Sequence, residues 1–136
     1  MTRSELIKLR PYMKGDEAFI YATWLRGLYH SDTWYNYIKK DVFMHHYHRV
    51  IEHILNNPTT EITLACLKDD ESVIVGYSVG TKDKKILHFT FVKKAWRNIG
   101  VAKMLISVLP QSVTHVTKVG LSLIQKLRID FNPFAI

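Results

Sequence analysis

Residues Arg97-Asn98-Ile99-Gly100-Val101-Ala102 join two apolar runs, Ile86-Leu87-His88-Phe89-Thr90-Phe91-Val92 before them and Val101-Ala102-Lys103-Met104-Leu105-Ile106 after them. The first run reads as a strand and the second as an amphipathic helix starting near Gly100. A strand that turns straight into a helix collects unpaired backbone N–H groups in one loop. With the positive end of the helix dipole, they form a site for an anion such as a pyrophosphate. Gly100 has no Cβ to keep phosphate oxygens from the backbone, and Ala102 keeps the first turn slim.

Outward from this loop, the chain reads as an alternation of strands and helices. Residues 6–10 form a first strand that stops at Pro11. Asp16 is placed to cap a helix carrying Phe19, Ile20, Trp24 and Leu28 at helical spacing, ending near Gly27 and the polar group His30-Ser31-Asp32. Asp41 is placed to cap a second helix with Phe43, Tyr47, Val50, Ile51 and Ile54 on one stripe, ended by Asn56-Asn57-Pro58. Residues 61–67, 72–81 and 86–92 read as an antiparallel meander with turns at 68–71 and 82–84. The helix after the loop is expected to run to about Leu109, before Pro110. Residues 113–119 have strand character, 121–127 read as a short helix, and 129–136 as a final edge strand or extended tail containing Pro133. No internal repeat, low-complexity segment or linker interrupts this order.

Bulk properties narrow the classes. The 136 residues are 47% hydrophobic and 23% charged, which fits one globular domain over 1–136 and argues against disorder. No apolar run approaches the roughly 18 residues a membrane-spanning helix needs. The opening Met1-Thr2-Arg3-Ser4-Glu5-Leu6 lacks the apolar core of a secretory signal, and Cys66 is the single cysteine, so a cytoplasmic protein is expected. Cys66 lies within an apolar run and reads as a core residue. The net charge of +7 favours anionic partners. Its lysines are scattered, without a basic block interleaved with aromatics, so nucleic acid is not the favoured partner.

The loop Arg97-x-x-Gly100-x-Ala102, with its Val92-x-x-x-Trp96-Arg97 lead-in, resembles the Arg/Gln-x-x-Gly-x-Gly/Ala signature that binds acetyl-CoA in the GCN5-related N-acetyltransferase (GNAT) superfamily. The element order resembles that fold over nearly the whole chain, most closely over 72–109. In its shortness and reduced C-terminal strands the chain is similar to compact, phage-encoded members. The resemblance implies an α/β fold: a mixed, mostly antiparallel sheet with flanking helices and a parallel strand pair that splays apart.

It also implies an acetyl-CoA-dependent transfer of an acetyl group to an amine acceptor, directly and in a ternary complex. The main chain of Phe91, Val92 and Lys93 would pair with the pantetheine arm in the splayed gap. The amides of Asn98, Ile99, Gly100, Val101 and Ala102 would hold the pyrophosphate, with Arg97 on the phosphate or ordering the loop. Lys93, Lys94 and Lys103 are candidates for the 3′-phosphate. The Val92 amide would meet the thioester oxygen as charge develops there. His88 is the candidate base, since an imidazole suits proton removal near neutral pH. Strand alternation puts His88, Thr90 and Val92 on one face and Leu87, Phe89 and Phe91 on the other, unless a bulge changes that parity. Relatives commonly place an acidic tyrosine in the helix matching Leu123-Ile124-Gln125-Lys126-Leu127-Arg128. No tyrosine occurs there, which leaves Ser122, Tyr29 or water to serve. Relatives are often homodimers.

Tyr29, His30, Trp34, Tyr35 and Tyr37 would wall the acceptor site or fill the core. The cluster His45, His46, His48 and His53 lacks a histidine pair at i,i+4 and reads as a polar helix face rather than a metal site. Two alternatives to an enzyme stand beside this reading: an acetyl-CoA-binding module without efficient turnover, and a basic protein acting on a macromolecular partner.

Overall fold

Six strands pair in the order in which they occur along the chain: β1 (Ile7–Pro11), β2 (Thr60–Leu67), β3 (Ile74–Thr81), β4 (Ile86–Val92), β5 (Ser112–Val113) and β6 (Asp130–Phe131). The computed structural model describes residues 2–31 and 33–136, so Met1 and Asp32 lie outside the described residues. Strands β1 to β4 are antiparallel neighbours, whereas β5 lies parallel to β4 and β6 parallel to β5. Parallel neighbours need crossovers, and helices supply them: α3 (Val101–Leu105) between β4 and β5, and α4 (Lys118–Leu127) between β5 and β6. The other two helices, α1 (Glu17–Tyr29) and α2 (Lys40–Leu55), lie between β1 and β2 in the chain.

The apolar stripes predicted for α1 and α2 are the ones that are buried. Ile20, Trp24 and Leu28 of α1 and Phe43, Ile51 and Ile54 of α2 pack against Leu64, Tyr77, Val79 and Phe89 of the sheet. Val101 and Leu105 of α3 share a separate cluster with Ile7, Ala65 and Val75. Cys66 is fully buried on β2. The turn between β3 and β4 is closed by Asp83, whose carboxylate accepts from the Thr81 hydroxyl at 2.6 Å and the Lys85 amide at 2.9 Å, with Lys84 at φ 66°.

Four elements differ from the sequence reading. Helix α3 ends at Leu105 instead of near Leu109. Pro110 disfavours helical backbone at Leu109 and would clash with the Ile106 carbonyl, and nothing packs on exposed Ser107, Val108 and Leu109 to offset this. The strand expected over 113–119 contracts to Ser112–Val113, because the chain turns away from β4 after Val113. Helix α4 therefore starts early, capped by the Thr117 hydroxyl accepting from the Gly120 amide at 3.2 Å. Of the tail over 129–136, Asp130–Phe131 alone pairs.

Asp16 precedes α1 as expected, yet its carboxylate does not cap the helix. It takes two hydrogen bonds from Arg10, at 2.8 and 3.0 Å, and one from the Met13 amide at 2.8 Å. Arg10 holds this carboxyl below the usual carboxylate range, so its stabilisation is present above the unfolded pKa and is lost as pH falls through the folded one. Both side chains are at least nine-tenths buried. Asp16→Asn is expected to cost about 3–5 kcal/mol at pH 7 by stranding Arg10. Urea denaturation checks this, and the gap to the wild type should shrink as the pH is lowered.

Candidate active site

The strand β4 that ends at Val92 faces two different neighbours. On one edge it pairs with β3, and Lys93 N–H donates to Val75 C=O at 2.8 Å. Antiparallel pairing then turns the backbone groups of Phe91 toward β3 as well, and those of Thr90 and Val92 toward the other edge. Gly76, opposite Val92, permits this approach, since a Cβ there would lie 2.6 Å from the Phe91 carbonyl oxygen. On its second edge β4 meets β5 only at Ile86 and Leu87. Beyond the Thr114 N–H to Leu87 C=O bond at 3.1 Å no backbone hydrogen bond joins the two strands among the described residues, which leaves the edge of β4 unpaired at Thr90 and Val92. Of the three residues expected to offer main chain to the gap, Val92 turns its own toward that edge, with its carbonyl accepting from Arg97 Nε. Phe91 has its main chain turned to β3, Lys93 donates to β3 and accepts from Trp96 N–H at 2.8 Å, and the Lys93 ammonium lies over the Phe19 ring at 5.3 Å.

A short 3₁₀ turn, Lys94–Trp96, intervenes between β4 and the loop. Asn98 at φ 66° and Gly100 at φ 93° then bend the chain into α3. The N–H groups of residues 98–103 donate to no protein acceptor among the described residues. A Cβ at Gly100 would meet nothing within 4 Å, so the loop is open on that side. A helix of five residues has a small dipole, so a pull on an anion would have to come from the unpaired amides of the loop. Arg97 orders the loop, its Nε donating to Val92 C=O at 2.9 Å.

His88 is the extra residue of a β-bulge: Val79 pairs with Phe89 and Gly80 with Leu87, which leaves His88 without a partner on β3. Simple alternation therefore fails here. Phe89 and Phe91 pack toward α1, whereas Leu87 lies on the opposite face beside Leu105 and Pro110. Turned out of the ladder, His88 places Nδ1 3.0 Å from the Thr114 hydroxyl, which is also 2.9 Å from His115 Nδ1. No protein partner among the described residues takes His88 Nε2. Both imidazoles are buried, at 5% and 7% exposure, and burial lowers the pKa of each to about 4. The His115 ring also has its edge contacts with Trp24 at 5.6 Å and Tyr47 at 5.9 Å.

This burial has a measurable consequence. Free imidazole titrates near 6.5, so between that value and about 4 the unfolded chain takes up protons at these sites that the native chain refuses. Their contribution to stability is intact above pH 6.5 and is lost as pH falls toward 4. Two such groups give a slope approaching about 2.7 kcal/mol per pH unit. Urea unfolding between pH 7 and 4.5 reads it, and a flat profile would contradict the burial of the pair.

Sequence reasoning missed Thr114 and His115, which stood inside a presumed apolar strand. The one available signal was two polar residues within Val113-Thr114-His115-Val116. Their closeness to His88 depends on β5 pairing with β4 across 26 residues. Thr90 was missed too. Its hydroxyl is one of two buried side-chain polar atoms without a partner among the described residues, the other being Trp24 Nε1. Of the residues considered as a substitute acid, Ser122 is exposed on α4, and the Tyr29 hydroxyl is committed to the Ile38 carbonyl at 3.2 Å. The aromatic connection divides: Tyr35 is buried between Phe43 and Tyr47, while Tyr37 is 90% exposed. On α2, His48 stacks on Tyr21 at 4.4 Å. No group of three or more potential metal ligands occurs among the described residues, and no helix is long and apolar enough to cross a membrane.

No protein-family model matches this sequence, and no curated protein does. Solved structures do. A possible acetyltransferase from Clostridium difficile 630 superposes with a TM-score of 0.57 at 13% identity, over 96% of this chain and 95% of its own. An acetyltransferase from Vibrio fischeri does so with a TM-score of 0.50 at 16% identity, over 89% and 86%. The aminoglycoside N-acetyltransferase AAC(6′)-Iy, solved in complex with CoA, gives 0.50 at 16% identity, over 96% and 91%. At such low identities the likeness is one of fold: the mixed sheet with flanking helices is the GNAT-like acyl-CoA N-acyltransferase fold.

Proposed function

We propose that this protein is an acetyl-CoA-dependent N-acetyltransferase that delivers an acetyl group directly to an amine in a ternary complex. The observation that carries the reading is the gap between β4 and β5, which opens beside a loop of unpaired amides. A cofactor with a peptide-like arm and a pyrophosphate fits both features at once. Amides 98–102 would hold the pyrophosphate, and Gly100 leaves room for it. Val92 N–H, turned away from β3, offers a polar contact along the gap. Acetyl-CoA supplies a thioester carbonyl open to attack by an amine. The similar AAC(6′)-Iy structure holds CoA, which supports this choice of donor.

The chain's own residues have definite parts. Val92 N–H is placed to donate to an oxygen on which negative charge grows. Arg97 braces the loop against the end of β4. His88, with pKa near 4, is an uncharged acceptor throughout the neutral range, and it takes a proton from the neutral amine as that nitrogen bonds to the thioester carbon and becomes acidic. His88→Ala is expected to lower kcat by roughly 10²–10⁴-fold while leaving acetyl-CoA affinity within a few-fold. Full activity in this variant would remove His88 from the mechanism.

A second reading, an acetyl-CoA-binding module with little turnover, is favoured by the lack of a tyrosine on α4 and by the engagement of Tyr29. A thermal-shift titration separates binding from its absence. Acetyl-CoA and CoA, but not ATP, should stabilise the protein, by about 2.7 kcal/mol at 100 times Kd. An acceptor screen then separates enzyme from module. No shift in folded protein would overturn both readings and turn attention to the basic surface.

A further inference from the structure

We propose that Thr114 and His115 are positioning residues that hold His88 as its Nδ1–H tautomer, with a bare Nε2. The inference rests on the reading of His88 as the base. A threonine hydroxyl has one proton. Placed between two imidazole Nδ1 atoms at 3.0 and 2.9 Å, and with no third partner for its proton among the described residues, it donates to one and accepts from the other. The two rings are therefore opposite tautomers whenever both are neutral, and their burial keeps them neutral. The role proposed for His88 sets the direction: its Nε2 has no protein partner among the described residues, and a base acting there carries its own proton on Nδ1. His115 Nδ1 then takes the Thr114 hydroxyl proton, and the His115 ring carries its own proton on Nε2. Thr114 then donates to His115 Nδ1 and accepts from His88 Nδ1–H, and the His88 lone pair is left on Nε2, the nitrogen without a protein partner. A lone imidazole in water has no such constraint and divides between tautomers.

The rings of Trp24 and Tyr47 pack on His115 from α1 and α2 and keep the acceptor in place. Tyr47 is the one ionisable group among them, and its own burial keeps it a neutral phenol.

The test is long-range ¹H–¹⁵N NMR of the ¹⁵N-labelled full chain at neutral pH, with the imidazole signals assigned by His88→Ala and His115→Phe. Nδ1–H at His88 and Nε2–H at His115 are expected; the reverse pair, or averaged tautomers at His88, would overturn the proposal. Thr114→Val, which removes the hydroxyl at equal size, is expected to mix the His88 tautomers and lower kcat roughly tenfold with acetyl-CoA affinity unchanged. Thr114→Ser should restore both. An unchanged His88 tautomer in folded Thr114→Val also overturns the role. If that variant does not fold, the wild-type spectrum still decides. A failure of His88 as base looks different: an active His88→Ala enzyme, with the wild-type tautomer pattern intact.

Discussion

Gly100→Glu is expected to abolish stabilisation by acetyl-CoA in a chain that remains folded. Two effects combine. Gly100 sits at φ 93°, where an L-residue is strained by about 1 kcal/mol. A carboxylate projecting into the open side of the loop also opposes an anion held by the amides around it. Two like charges 4 Å apart at a surface-like dielectric repel by about 4 kcal/mol, close to a thousandfold in affinity. Gly100→Ala separates the two effects. Its Cβ meets nothing within 4 Å, so it carries the strain without the charge and should keep measurable binding. Isothermal titration of both variants with acetyl-CoA checks this. Unchanged affinity in Gly100→Glu would mean that the phosphates lie elsewhere.

Trp24→Ala is expected to cost about 3–5 kcal/mol, a large share of the roughly 5–15 kcal/mol that holds a typical domain folded. The indole is fully buried, lies parallel to Phe89 with centroids 4.9 Å apart, and meets the His115 edge-on. It thus joins α1 to β4 and to the turn after β5, and its loss leaves a cavity beside the proposed site. Trp24→Phe should cost far less. It keeps most of the ring contact and removes the indole N–H, which has no partner among the described residues and so burdens the native state. Urea denaturation of both variants measures the difference. Equal costs would mean that the indole nitrogen has a partner in solution.

Local patterns made much of this fold legible. The 3.6-residue stripes of α1 and α2, the three β-branched strands and the turn at Asp83 depend on neighbours a few residues away, and β4 has the bounds its alternation suggested. Gly100 could be read as the start of a helix for the same reason. Helix α3 was overextended because its apolar positions continue past Leu105, while the steric reach of Pro110 ends it early. A carboxylate before an apolar stripe is usually a helix cap, as the sequence suggests for Asp16. A bidentate guanidinium six residues away in sequence, on the neighbouring strand, is a stronger partner than a helix amide.

The site divides along the same line. The loop 97–102 is contiguous, and its composition alone marks it as a place where amides remain unpaired. The setting of His88 is not contiguous. Its burial, the bulge that turns it out of the ladder and the hydroxyl it shares with His115 all arise where β4 meets a two-residue parallel strand. Hydrophobic periodicity and loop chemistry, being local, were determined by the sequence by itself. Which imidazole meets which hydroxyl was decided by the tertiary structure, because the parallel register of β5 on β4 is set by packing across the whole sheet.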